Sequence, residues 1–328
     1  MKSTTIFPAI QRLAARSALL HRISCGLALI SVGAVASAAD EMPKPFALRA
    51  TGGVQIALWQ ASPNPNKPYI SQLFAPGDKS VPLLDDSPAD HFHHHALMYA
   101  IAVDGTDFWA EKGIKNAGCQ RPAEPTAAHD GDGFTSKLNW LASDGALLIN
   151  ETRQVRVRAT GKDADAVNWL DWQSTLSPAA GRKSVRLSGS HYFGLGMRFL
   201  PAWAGKAGFL WQNAAAPPAV GSPEKVTPGQ WCAVTCEIDG RQITLLMIDH
   251  PGNPRPASWF TMGQPFCYLS ATLGLDTKPM ELAAGESLTL RYGLAMMAGP
   301  ADRARLEKLA EAWKNAHASG PDSSSPTS

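Results

Sequence analysis

The chain has 328 residues, 18% of them charged, with 30 Lys and Arg against 28 Asp and Glu. Four of those basic groups fall in residues 1–38, which hold no acidic ones, so the remainder carries 26 against 28 and a net charge of about −2. That near-balance argues against a nucleic-acid partner, which selects strongly basic surfaces, and against polybasic docking on anionic membranes.

At the N-terminus, Lys2, Arg12, Arg16 and Arg22 form a basic region, residues 26–36 an apolar core, and Ala36-Ser37-Ala38 a small-x-small cleavage pattern. These features predict a signal peptide over 1–38, cleavage before Ala39, and a periplasmic or secreted protein. Cys25 precedes the apolar core, which disfavours a lipoprotein anchor. No later segment approaches the roughly 20 apolar residues needed to cross a bilayer. The mature chain is long enough to bury a full core as one domain over 39–318.

Strand patterns dominate that domain. Residues 54–59 alternate, and so do 151–158, with Val155 and Val157 inward and Gln154, Arg156 and Arg158 outward. Further strands are predicted over 97–103, 168–176, 184–190, 233–238, 242–248, 266–273 and 287–297. Asp104-Gly105, Ser143-Asp144-Gly145, Ala180-Gly181 and Asp239-Gly240 mark turns, the last a hairpin between two alternating runs. The stretches 61–71, 118–133 and 201–229 are rich in Pro, Gly and Ala and read as long connections. One helix is expected near the end, opened by Pro300 and Asp302 and carrying Leu306, Leu309 and Trp313 at helical spacing. Residues 319–328 read as a disordered tail. Cys119, Cys232, Cys236 and Cys267 lack a zinc-site spacing and read as buried free thiols. The sum is an all-β protein, a large antiparallel β-sandwich with a C-terminal helix.

Chemistry concentrates in Asp90-His91-Phe92-His93-His94-His95, which holds four of the nine histidines. Imidazole titrates near neutral pH and is the commonest metal ligand, so such density locates a site. If the segment is extended, His91, His93 and His95 share one face and His94 takes the other. Three readings are open: a metal site using His91 and His93 with a carboxylate such as Asp90 or Glu151, general acid–base chemistry between a histidine and Glu151, or histidines held for structure. A second candidate segment is the Pro- and Gly-stiffened loop Asp249-His250-Pro251-Gly252-Asn253-Pro254-Arg255, whose arginine could fork onto a carboxylate or sugar hydroxyls. In a third, His191-Tyr192-Phe193-Gly194-Leu195-Gly196-Met197-Arg198, the glycines permit close backbone approach. Among ten tryptophans most should be core, with one or two, such as Trp109, available to stack on a sugar ring.

These segments, with Lys67-Pro68-Tyr69-Ile70 and Asp107-Phe108-Trp109, occur in an order that resembles the exported bacterial proteins labelled methane oxygenase PmoA-like. The pattern usual there is Asp-His-Pro-His-His-Arg-Gly. This chain keeps Asp90, His91, His93 and His94 and places Phe92, His95 and Ala96 at the other three positions. The resemblance implies carbohydrate metabolism by gene association, and the family's label implies a metal-dependent oxygenase. At fold level the architecture is similar to the supersandwich of aldose-epimerase-like proteins.

The expected function is therefore acid–base chemistry on a carbohydrate or oxidised sugar derivative, by hydrolysis, elimination or epimerisation. A non-catalytic sugar-binding protein is the competing expectation. Catalytic candidates are His91, His93, His94, Glu151, His191 and His250. Substrate-binding candidates are Asp90, Trp109, Arg153, Arg198, Asn253 and Arg255. His91, His93, Glu151, His191, Arg198, His250 and Arg255 are expected to line one cleft. No flavin, nicotinamide or P-loop signature is present, so no cofactor is expected, while a divalent metal stays open. The expected partner is a small carbohydrate.

Overall fold

The computed structural model describes residues 45–318 apart from 61–65, 78–80, 112, 124–126, 130, 214–218 and 301. The expected signal peptide and the C-terminal tail lie outside the described residues.

Alternating sequence becomes antiparallel pairing throughout two large sheets. In the first, the spatial order is Phe46–Arg49, Gln55–Gln60, Tyr69–Ala75, Leu97–Ala100, Gly194–Arg198, Tyr268–Thr272, Ser258–Met262 and Lys225–Pro228. The second is centred on Arg241–Asp249, Leu288–Ala298, Val167–Pro178 and Leu147–Thr160. Their inner faces share one core, in which Trp59, Leu195 and Leu269 of the first sheet join Phe134, Leu245 and Tyr292 of the second. Val155 and Val157 point into protein as their alternation requires. A small third sheet takes Ala102–Val103, Thr106–Asp107, Ser184–Ser188 and Met280–Ala283. The expected all-β sandwich is thus what this chain forms.

Local signals explain the boundaries. Val103 pairs with Thr106 across Asp104 (φ 48°) and Gly105 (φ 79°), and Ile238 with Arg241 across Asp239 (φ 50°) and Gly240 (φ 72°). Two successive left-handed residues make the type I′ turn that matches strand twist. The helix Arg303–Ala316 is capped by Asp302, whose side chain accepts from the Arg305 N–H at 2.8 Å. Its Leu306, Ala310 and Trp313 cover the outer face of the second sheet against Val167, Leu246 and Ala295. Gly293 lies under Trp313, where a Cβ would meet the indole at 2.5 Å.

Some expectations are corrected. The run 97–103 divides at Ile101, one half joining the first sheet and the other the small one. The supposed connections contain the strands Cys119–Pro122, Gly208–Trp211 and Lys225–Pro228 and the start of Tyr69–Ala75. Several of these are short or lie at sheet edges, where pairing needs little apolar alternation, so periodicity does not reveal them. The four cysteines among the described residues are free, and burial raises the Cys232 and Cys267 thiols. Trp59, Trp140, Trp172, Trp203, Trp231 and Trp259 are wholly buried. At about 25 cal/mol/Å² over roughly 150–250 Å², each contributes about 4–6 kcal/mol of transfer free energy to the core. Among the described residues no helix is long and apolar enough to cross a membrane.

Candidate active site

The histidine segment folds as turns, not as a strand. His91 N–H donates to Pro88 O at 3.0 Å and His94 N–H to His91 O at 2.8 Å. Ser87 N–H donates back to His94 O, and Ala96 N–H to Asp85 O. Ala96 takes φ 39°, a left-handed conformation that costs a side-chain-bearing residue about 1–2 kcal/mol and suits glycine. The face assignment for an extended segment is therefore overturned. His91, His93 and His94 gather together, and His95 faces away from them. The His91 and His94 rings stack at 4.8 Å, and His93 meets His94 edge-on at 4.8 Å.

These three histidines form one wall of a cleft of about 170 Å³. Trp109 and Tyr192 form a second wall, Phe260, Met262, Phe266 and Tyr268 a third, and Glu224 also lines it. Tyr268 and Phe260 come from adjacent strands of the first sheet and share its face opposite to Leu269, on which the cleft opens. Gly196 makes room for the phenol, since a Cβ there would stand 2.3 Å from the Tyr268 hydroxyl. Of the residues that line this cleft, Trp109 Nε1, His93 Nδ1 and the Tyr268 hydroxyl are buried without a hydrogen-bond partner, and His91 Nδ1 lies 3.1 Å from Asp90 Oδ2.

Arg198 braces the histidine wall from behind. Its Nη2 donates to both Asp90 carboxylate oxygens, at 3.1 and 2.9 Å, and its guanidinium lies 3.6 Å from the Phe266 ring centre. The hydrogen bond from Arg198 holds the Asp90 carboxyl down to about 2. Burial pushes His94 down to about 2, reinforced by His93, His91 and Arg198. Burial also lowers His93, and nearby Lys67 adds to the effect. Both rings are neutral near pH 7.

Position 95 serves a different network. His95 Nε2 lies 2.6 Å from Glu111 Oε1, and Nδ1 lies 3.1 Å from Asp86 Oδ1. Buried Lys67 donates to Glu111 at 3.2 Å and to the His93 carbonyl at 3.4 Å, and Tyr69 donates to Asp86. Burial lowers the Lys67 ammonium, with Glu111 opposing. Burial alone would raise Glu111, but His95 and Lys67 hold it below its ordinary value.

The structure brings together only part of the predicted set. His91, His93, His94 and Trp109 line the cleft, Asp90 and Arg198 support it, and His191 meets Glu224 at 2.8 Å. Glu151 and Arg153 are corrected. Both are buried, and Glu151 accepts from Arg153 Nε (2.8 Å) and Nη2 (2.9 Å), Trp140 Nε1 (2.8 Å) and Ser174 Oγ (2.7 Å). Arg153 further donates to Pro68 O and Gln120 Oε1. Glu151 shares parity with Val155, so it points into the core. His250, Asn253 and Arg255 are corrected too. His250 Nδ1 accepts from Gly252 N–H, and Nε2 lies 2.9 Å from His317 O. Asn253 bridges Asp249 and Arg291, and Arg255 donates to the carbonyls of Leu273 and Lys278. Leu273 lies just beyond the far end of the strand that Tyr268 begins, roughly 13 Å or more away. The seven-residue convergence therefore fails.

Glu224, Phe260, Phe266 and Tyr268 carry no sequence signal of a site role, while Tyr192 stands in the third candidate segment without being singled out. Glu224 stands in a stretch without periodicity. Among the described residues, no three His, Cys, Asp or Glu side chains are grouped so as to hold a metal ion.

Residues 49–311 match the family described as DUF6807, a family of unknown function. The chain belongs to that family. No curated protein matches it in sequence. Among solved structures, a GH36 alpha-galactosidase from Geobacillus stearothermophilus aligns with TM-score 0.49 at 13% identity, over 78% of this chain and 41% of that one. A candidate aldose 1-epimerase from Escherichia coli K12 aligns with TM-score 0.42 at 10% identity, over 78% and 99%. The polysaccharide lyase BACCELL_00875 gives TM-score 0.38 at 13%, over 73% and 32%. The chain spans about two fifths of the galactosidase.

Proposed function

We propose that the cleft of this DUF6807 member binds a carbohydrate and that His93 acts there as a general base, with Glu224 as the accompanying carboxylate. The observation that carries this reading is the combination of clustered imidazoles, two of them (His93 and His94) held neutral, with aromatic surfaces and orphaned polar atoms in one concave site. Aromatic faces suit the C–H faces of a sugar ring, while its hydroxyls suit polar atoms left without a partner. A buried neutral imidazole with an unpartnered nitrogen accepts a proton from a hydroxyl or a water. Glu224 replaces Glu151 in this scheme, because Glu151 has no access to the cleft and its carboxylate is fully occupied.

The second reading is a sugar-binding protein without catalysis. It is favoured by the aromatic surface that Trp109, Tyr192, Phe260, Phe266 and Tyr268 give the cleft. One experiment separates the two. The protein recovered from the periplasm is screened against mono- and disaccharides for binding and for turnover, and the screen is repeated with His93→Ala and Glu224→Gln. An enzyme retains affinity and loses rate, whereas a binder loses affinity alone. Sugars that neither bind nor react would defeat both readings. Activity that vanishes on chelation and returns with one added metal would replace the metal-free scheme with a ligand role for His91 and His93.

A further inference from the structure

The geometry points to an uncharged hydroxylated ring, a neutral sugar and not a uronate or sugar phosphate, as the occupant of the histidine cleft. This inference rests on the carbohydrate reading above and narrows its substrate class.

Three observations carry it. First, none of the described residues lining the cleft is Lys or Arg. Second, the cations behind the wall are already committed. Arg198 is paired with Asp90, and Lys67 with Glu111 and a backbone carbonyl. Third, Glu224 is the one carboxylate among those lining residues. An anionic ligand would leave water without a counter-charge and approach a like charge, and a buried unpaired charge is far more costly than a buried hydroxyl. His93 and His94, held neutral by burial, add no compensating charge at pH 7.

The orphaned atoms complete the match. The Trp109 indole N–H donates only, the Tyr268 hydroxyl donates or accepts, and His93 Nδ1 does one or the other by tautomer. Sugar hydroxyls both donate and accept, so they satisfy all three. A carboxylate only accepts, so where it replaces a hydroxyl beside His93 it cannot donate to an accepting nitrogen. The reaction class narrows accordingly. Elimination beside a uronate carboxylate needs that carboxylate neutralised, and no lining cation does so here. Hydrolysis or epimerisation of a neutral sugar needs no such group.

The test uses matched pairs: glucose with glucuronate, galactose with galacturonate, and mannose with mannuronate. Ligand-observed NMR and calorimetry at pH 7.5 measure binding to the wild-type protein at low and high salt. We expect at least one neutral sugar to bind tenfold or more tightly than its acid partner, with an affinity that salt does not change. Tyr268→Phe should weaken the neutral ligand about tenfold and leave the fold intact by circular dichroism. An acid sugar that binds equally or more tightly would overturn this inference and leave the carbohydrate reading standing. Failure of every pair to bind would overturn both.

Discussion

Two of the polar clusters described above, one around Glu151 and one around His93, differ in how completely they are satisfied. Around Glu151, both carboxylate oxygens are taken by Arg153, Trp140 and Ser174 in the sandwich core. Around His93, buried nitrogens and a phenol hydroxyl of the residues that line the cleft have no partner. Both clusters are rich in ionisable groups, so composition alone ranks them equally. Satisfaction separates them: polar atoms kept for structure are paired within the protein, and those kept for a ligand wait for it.

The comparison can be broken by exchanging the expected outcomes. His93→Ala should lower turnover of whichever sugar the screen identifies by about 10²–10⁴-fold, the usual range for an acid–base group. Its urea-unfolding midpoint should barely move, and a large stability loss with intact turnover would reverse the two roles. Glu151→Gln should do the opposite. It strands the Arg153 guanidinium and should cost about 3–5 kcal/mol of unfolding free energy while sugar affinity in the folded fraction stays unchanged.

Acid sharpens the same contrast. His94 is depressed to about 2 by burial, so its neutral form favours the folded state. That stabilisation is fully present above about pH 6.5 and drains as pH falls from there toward 2, by at most about 1.4 kcal/mol per pH unit. His94→Asn should therefore lose stability less steeply than wild type between pH 7 and 5 in denaturant titrations. Parallel curves would show that His94 is not held neutral. The smallest effect is expected for His250→Gln. Loss of its bond to Gly252 and its contact with His317 should cost about 1–2 kcal/mol and leave ligand affinity untouched. A drop in affinity would return the 249–255 loop to the site.

How much of this is legible in the sequence depends on whether a residue's role is local. The alternation at 151–158, the Asp-Gly hairpins and the Asp302 cap are written within a few residues of themselves, and the structure agrees with them. The histidine cluster locates the cleft because its density is itself local. Its shape is not legible, since the bonds from His91 to Pro88 and from Ser87 to His94 make turns in place of a strand. Glu224 and Tyr268 reach the cleft only through the pairing of distant strands, which no spacing announces. Glu151 illustrates the converse: its parity with Val155 marks it as inward, and an inward carboxylate on a core strand is more simply an ion-pair partner than a base.

The way the histidine turn is anchored also bears on kinetics. Asp85 N–H donates to Arg198 O, Arg198 N–H to Ala96 O, and Ala96 N–H to Asp85 O, so the turn is stitched to the central strand Gly194–Arg198 through main-chain bonds. A ligand then meets an already assembled wall and has no ordering entropy to supply there. Association should run as a single exponential, with no slow conformational phase and a rate linear in sugar concentration. Free and bound crystals should superimpose at 85–96 within the noise of the coordinates.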